Sequence, residues 1–196
     1  MRIVAGSAKG RVLAAPKSDD VIRPTADRVR ETLFNVLGQR CDGLTVLDLF
    51  AGTGALGLEA VSRGAIKAVL VDRDREALEL CRLNASALKF TDRVEIVSAS
   101  AIAAIGMLGK KRQVFELVFS DPPYALIAGV SVLEALGQAK LVSDGGVVVI
   151  EHGKEEQLPE RVGDFSQIDE RDFGTAIVTL FRHSPTDQKA LTAPNA

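Results

Sequence analysis

A chain of 196 residues that is 46% apolar and 26% charged has the size and composition of one globular domain built on one core. Its 24 Lys and Arg against 26 Asp and Glu leave a formal charge of −2. No apolar run approaches the ~18 residues of a membrane span, and charge interrupts the N-terminus before a signal-peptide core develops. Cys41 and Cys81 lie far apart among apolar residues, and His152 and His183 are too few and too scattered for a zinc or iron site. Buried free thiols, no metal and a cytosolic setting are therefore expected.

Taken in chain order, Arg2–Ala5 and Arg11–Ala14 are short extended runs around a Gly-containing loop, the pattern of a hairpin. Arg23-Pro24-Thr25 then punctuates the chain, with Thr25 as the expected N-cap. Val29, Leu33, Val36 and Leu37 follow at helical spacing up to Gly38. From Thr45 onward, apolar runs at Val46–Leu49, Ala68–Val71, Val94–Val97, Leu117–Phe119 and Val147–Ile150 alternate with amphipathic segments. Those segments are Ala55–Arg63, Arg75–Leu88, Ser100–Leu108 and Val130–Ala139. Such alternation predicts a parallel sheet covered by helices on both faces. Phe165–Ile168 and Ala176–Phe181 leave no room for a helix between them, so an antiparallel pair should close the sheet. Residues 1–40 form a basic extension with eight basic and four acidic groups, residues 41–183 the main domain, and 184–196 a polar tail expected to be disordered. A basic arm on an acidic body points to a polyanionic partner.

Two motifs carry chemistry. The first runs from Val46 to Gly57, through Asp48, Phe50, Gly52 and Gly54, as strand, Gly-rich turn and helix start. Asp72 ends the next strand about 20 residues on, where a carboxylate can hold ribose hydroxyls. NAD and S-adenosylmethionine both satisfy this pattern. Asp48 favours the second, because an acid there repels a pyrophosphate and suits a cationic methionyl group. The second motif is Ser120-Asp121-Pro122-Pro123-Tyr124, at the carboxyl edge of the fourth strand. Its prolines remove N–H donors and leave the Asp121 carboxylate and the backbone carbonyls as acceptors for an amine bearing two hydrogens. Tyr124, the one tyrosine of the chain, offers a stacking face to a planar base.

These motifs resemble class I S-adenosylmethionine-dependent methyltransferases acting on exocyclic or amide nitrogens. The segments Met1–Gly6, Lys9-Gly10-Arg11, Arg23–Phe34, Gly57–Ala65 and Glu151-His152 narrow the resemblance to the RsmD-type 16S rRNA guanine-N2 methyltransferases, from Met1 to about Arg182. The resemblance implies a monomeric Rossmann-like α/β domain, with a seven-stranded sheet closed by an antiparallel pair and extended by the N-terminal hairpin and helix. It implies S-adenosylmethionine as cofactor, bound by Asp48, Phe50, Gly52, Gly54, Asp72, Arg73, Ser100 and Ala101. Asp121, Pro122 and Tyr124 would carry catalysis. The target would be N2 of a guanine, position 966 in that family, in 16S rRNA of the small ribosomal subunit or an assembly intermediate. Where the family has Gly-Asp-Ala after the third strand, this chain has Ala99-Ser100-Ala101, so Ser100 would replace an adenine-binding carboxylate.

Lys9, Arg11, Arg23 and Arg28 are the candidate RNA contacts, acting on phosphates. Arg28 and Arg30 point about 200° apart on a helix, so one of them should instead pair with protein carboxylates. Lys110-Lys111-Arg112 reads as a solvated turn on the opposite edge. Methylation of DNA adenine or a protein glutamine, a non-catalytic RNA-binding assembly factor and NAD chemistry are the alternatives.

Overall fold

The central apolar runs form strands because their residues are covered on both sides. The computed structural model describes residues 1–16, 24–123, 128–174 and 176–185, with the side chains of residues 24–28 outside that description. An N-terminal helix α1 (Pro24–Val36) precedes the alternating unit. That unit comprises β1 (Thr45–Asp48), α2 (Ala55–Ser62), β2 (Lys67–Asp72), α3 (Arg75–Ala87), β3 (Val94–Ser98), α4 (Ala101–Lys110), β4 (Phe115–Ser120), α5 (Gly129–Ala139) and β5 (Val142–His152). Three further strands follow: β6 (Arg161–Val162), β7 (Phe165–Asp172) and β8 (Ile177–His183).

The sheet order is β3-β2-β1-β4-β5-β8-β7-β6, parallel from β3 to β5 and antiparallel beyond. Within β1, Val46 packs into the layer holding α1, α2 and α3, and Leu47 into the layer holding α4 and α5. Chain order reverses between β1 and β4. Loops leaving two neighbouring strands in opposite directions open a crevice at the carboxyl ends, the usual ligand position in such sheets.

Two expectations need correction. Among the described residues the sheet has eight strands rather than seven, because Arg161 and Val162 pair with Ser166 and Phe165 in a strand too short to show alternation. Helix α1 begins at Pro24, so Thr25 lies inside its first turn and is not the N-cap. A proline suits the first helical position, since its φ is already helical and its missing N–H would have had no partner.

The hairpin is held by one bridge, Arg2 to Val12, and by Ile3 N–H to Arg11 O at 2.9 Å and Gly10 N–H to Ile3 O at 2.8 Å. So short a ladder is marginal alone, and α2 anchors it. Ser7 N–H donates to Ser62 O at 2.8 Å, and Ala8 N–H to Ser62 Oγ at 2.9 Å. Gly6, at φ +81°, comes so close that a Cβ there would stand 1.9 Å from Ser62 O. Ile3 and Leu13 then join Leu33, Phe34, Leu58 and Val61 in one buried cluster.

Glu59 of α2 lies fully buried at the centre of this layer. Its carboxylate accepts from Val4 N–H at 2.8 Å and Ala5 N–H at 2.9 Å. It also pairs with Arg63 at 2.8 Å and with Arg30 at 3.4 Å. Arg30 is therefore the arginine of α1 that pairs inward, and its guanidinium also donates to Arg2 O. Glu59→Ala would leave two buried guanidiniums without their carboxylate and two N–H groups without their acceptor. The expected cost is about 3–5 kcal/mol, read as a lower urea midpoint at unchanged slope.

Candidate active site

A cavity of about 700 Å³ opens at the carboxyl ends of β1, β2, β3 and β4. Phe50 and Gly52 after β1, Asp72 and Arg73 after β2, Ser100 and Ala101 after β3, and Asp121 and Pro122 after β4 all line it. Four separate stretches of sequence thus converge because parallel strands place all their carboxyl ends on one edge. Ala128, Ser131 and Val132, at the start of α5, form the facing wall.

The glycine turn is built by its neighbours. Gly52 and Gly54 take φ of 53° and 79°, which L side chains rarely adopt. A Cβ at Gly57 would lie 2.3 Å from Leu70 Cδ2, so the buried Leu70 side chain would have to move to admit one. Asp72 Oδ2 accepts from Gly52 N–H at 2.9 Å and Oδ1 from Asp74 N–H at 2.9 Å, so this carboxylate shapes the turn that it faces. Asn84 of α3 donates to Thr53 O at 2.9 Å and to Ala14 O at 3.1 Å, tying the turn to the end of the hairpin.

Asp48 lies beneath this turn with 1% exposure. Its Oδ2 accepts from Gly57 N–H at 3.0 Å near the start of α2, while its buried Oδ1 has no hydrogen-bond partner among the described residues. An orphaned carboxylate oxygen under a ligand cavity is a vacant acceptor for a donor group.

Ser100 has a local duty that the sequence reading missed. It is the N-cap of α4, its hydroxyl accepting from Ala103 N–H at 3.4 Å. An Asp would also serve at that position, so capping does not depend on this departure from the family pattern. Glu156 was missed as well. This buried side chain accepts from Gly129 N–H at 2.7 Å, satisfying the start of α5, where Ala128 offers no side-chain cap. No local motif announces a cap supplied from 27 residues downstream.

The basic candidates fall elsewhere. Lys9 is exposed at the hairpin tip, beside the C-terminal end of α2, whereas the glycine turn precedes the other end of that helix. Arg11 is exposed and its guanidinium donates to Ala87 O, the last residue of α3, at 2.9 Å. Neither lines the cavity. Arg23 and Tyr124 lie outside the described residues, as does the side chain of Arg28. Lys110, Lys111 and Arg112 are exposed at the end of α4, as a solvated turn should be.

The family model described as Conserved hypothetical protein 95 matches residues 1–182. Ribosomal RNA small subunit methyltransferase D of Escherichia coli is 34% identical over 182 residues, 93% of this chain and 89% of the relative. The chain belongs to this family. YlbH of Bacillus subtilis, named as an rRNA methyltransferase, is 36% identical over 182 residues, 93% of this chain and 98% of that one. The solved structure of yhhF from Escherichia coli, named as a methyltransferase, superposes with a TM-score of 0.82 at 31% identity, covering 95% of this chain and 99% of the other. The fold is that of the class I methyltransferases, as the sequence patterning and the resemblance predicted.

Burial, with crowding of acids second, sets the electrostatics of the cavity. Burial pushes the Asp48 carboxyl up to about 7, opposed by the Gly57 N–H and assisted by the charge of Asp72. Asp121 is pushed up to about 8, by burial first and then by the charges of Glu151 and Asp48. Burial foremost, with the charges of Asp48 and Asp72, also raises the Cys81 thiol to about 12. Cys81 therefore stays protonated and donates to Gly52 O at 3.3 Å.

Both aspartates keep protons in the fold that an unfolded chain releases near pH 4, so stability falls as pH rises from about 4 through 8. The ligand-free protein should accordingly melt lower at pH 8.5 than at pH 5.5. Asp48→Asn should flatten that profile and stabilise the protein at pH 8.5 by roughly 2 kcal/mol. Calorimetry across the pH range measures both effects.

Proposed function

We propose that this chain methylates the exocyclic N2 of a guanine in 16S rRNA, position 966 by family resemblance, within the small ribosomal subunit or an assembly intermediate. At the coarser level it is an rRNA methyltransferase whose cofactor is S-adenosylmethionine. The observation that carries the reading is the acidic floor of the cavity. Asp72 and Asp121 line it and Asp48 lies buried beneath its glycine turn with an orphaned oxygen; the charge of Asp72 acts on Asp48 and that of Asp48 on Asp121, a crowding that a cation relieves. An acid at Asp48 does not suit a pyrophosphate, and the relatives are S-adenosylmethionine-dependent methyltransferases, which together set NAD aside.

The residues present fit this cofactor. Asp48 and the turn at Gly52 and Gly54 would receive its methionyl end, Asp72 its ribose, and Ser100, Ala101 and Phe50 the region of its adenine. Arg73 stands at the rim. When bound, the cofactor supplies an electrophilic methyl group on a positively charged sulfur.

Asp121 and the Pro122 carbonyl would accept the two hydrogens of the guanine amine. Holding both turns the nitrogen lone pair away from conjugation and toward the methyl carbon. The arriving amine would displace the resting proton of Asp121 to solvent, and the carboxylate so freed would take up the proton that the nitrogen sheds on accepting the methyl group. A carboxyl whose affinity for protons is raised by burial suits that last step. Tyr124 would stack on the base. Lys9, Arg11, Arg23 and Arg28 would position RNA phosphates, the first two away from the cavity mouth and so on flanking rRNA. The protein is proposed to act as a cytoplasmic monomer.

Labelled S-adenosylmethionine with undermethylated small subunits, followed by mapping of the product, tests the reading directly. Label in an adenine or a protein glutamine would replace it, and no transfer at all would favour an assembly factor. Asp121→Ala should lower turnover by ~10²–10³ with little change in cofactor affinity. Asp121→Asn should retain more activity than Ala, because its amide oxygen still accepts. Ser100→Asp should keep the α4 cap and tighten cofactor binding by ~1 kcal/mol, since a charged acceptor replaces a neutral one. Titration calorimetry reads the affinities.

A further inference from the structure

Thr53 sits between two glycines of positive φ, a sequence whose peptide planes rotate at little cost. The planes are nevertheless held from outside. Gly52 N–H donates to Asp72 Oδ2 at 2.9 Å, and Gly52 O accepts from the Cys81 thiol at 3.3 Å. The peptide joining Thr53 to Gly54 is fixed at both ends. Its N–H donates to Ala51 O at 2.7 Å, and its carbonyl, Thr53 O, accepts from Asn84 Nδ2 at 2.9 Å.

Asn84 does more than hold that carbonyl. It lies on α3 one turn beyond Cys81, with 2% exposure. Its Oδ1 accepts from Ala14 N–H at 2.7 Å, while Nδ2 also donates to Ala14 O at 3.1 Å. The carboxamide thus meets the backbone of Ala14 as a neighbouring strand would and leaves its second N–H for the glycine turn. No other side chain of that length carries an acceptor and two donors on one planar group. Met1 arrives at the same place, its Sδ accepting from the Thr53 hydroxyl at 3.5 Å, and its carbonyl accepts from Leu13 N–H at 3.1 Å. Both ends of the hairpin therefore converge on Thr53, although neither Met1 nor Ala14 lines the cavity.

We propose that Asn84 is a positioning residue for the cofactor, holding the glycine turn in the form that receives the methionyl end of S-adenosylmethionine and making the N-terminal hairpin part of that turn. The inference rests on the placement of the cofactor given above and deepens it. Without the carboxamide, the Thr53 carbonyl loses its partner and the peptide is free to rotate beside Gly54. Binding must then select the receptive form from several, and apparent affinity falls by the fraction lost. Asp121, after β4, is untouched by this change. The effect belongs in cofactor affinity rather than in turnover at saturation.

Hydrogen exchange of the wild-type protein, read amide by amide with and without S-adenosylhomocysteine, is the first test. Binding should slow exchange at Gly52 and Gly54 and, through Asn84, at Ala14, by ~10-fold. Protection of the turn with none at Ala14 would overturn the proposal and leave the cofactor placement standing. Binding that leaves the turn itself unprotected would overturn that placement and this proposal with it. Asn84→Ala should raise the dissociation constant for S-adenosylmethionine by ~10-fold and abolish protection at Ala14, with kcat at saturating cofactor and small subunits within about threefold of wild type. Asn84→Asp keeps the acceptor for Ala14 N–H but sets a carboxylate against two carbonyl oxygens, so it should weaken binding at least as much. Wild-type affinity in either variant, or kcat falling in proportion to affinity as a general structural defect would make it, would overturn the proposal. The wild-type exchange measurement needs no variant, so it decides even where both substitutions fail to fold.

Discussion

The structure turns on one buried carboxylate. Glu59 has no exposure, and an ion so placed is tolerable only when nearly every lone pair is used. Here two backbone N–H groups of the hairpin and two arginines use them. One carboxylate thereby joins three separate pieces of chain: the hairpin, α1 through Arg30, and α2 itself. Arg63 passes the connection on, with its guanidinium 4.5 Å from the centre of the Phe34 ring. Phe34 lies 5.7 Å from Phe119 of β4, two residues before Asp121. The N-terminal arm is thus packed into the layer that backs the carboxyl ends of the strands.

The same logic is inverted at the carboxyl ends of the strands. Glu59 is saturated with partners, whereas Asp48 retains an unpaired oxygen and Asp121 is bordered by the like charge of Glu151. Burial first, then the charge of Asp72 on Asp48 and those of Glu151 and Asp48 on Asp121, raises the proton affinity of both aspartates and costs stability at neutral and basic pH. Local instability of this sort is where a fold stores its readiness for a ligand. A cation on the cofactor side would relieve the crowding around Asp48.

Much of this was legible in the sequence, for specific reasons. The strands β1 to β5 are short apolar runs between amphipathic helices, and two-sided burial leaves that signature whatever the surroundings. The glycine turn and Asp121-Pro122-Pro123 are contiguous, so their chemistry could be read without coordinates. The inward pairing of one arginine in α1 followed from helical geometry alone. Strand β6 was invisible because two residues cannot alternate. The displaced start of α1 was missed because Pro24 and Thr25 both suit a helix beginning, one residue apart.

Sequence by itself determined the fold class, the family and the two motifs, because each depends on neighbours in the chain. Only tertiary structure decided what depends on residues far apart. It brought Glu156 to the start of α5 and Asn84 between the hairpin and the glycine turn. It set Lys9 and Arg11 away from the cavity, although charge counting had grouped them with the other basic residues. It also stood Glu151 beside Asp121, 30 residues earlier in the chain, through the parallel register of β4 and β5. Hydrophobic periodicity and turn chemistry are local and survive in one dimension. Burial, charge crowding and the pairing of strand ends arise only when the chain has closed on itself.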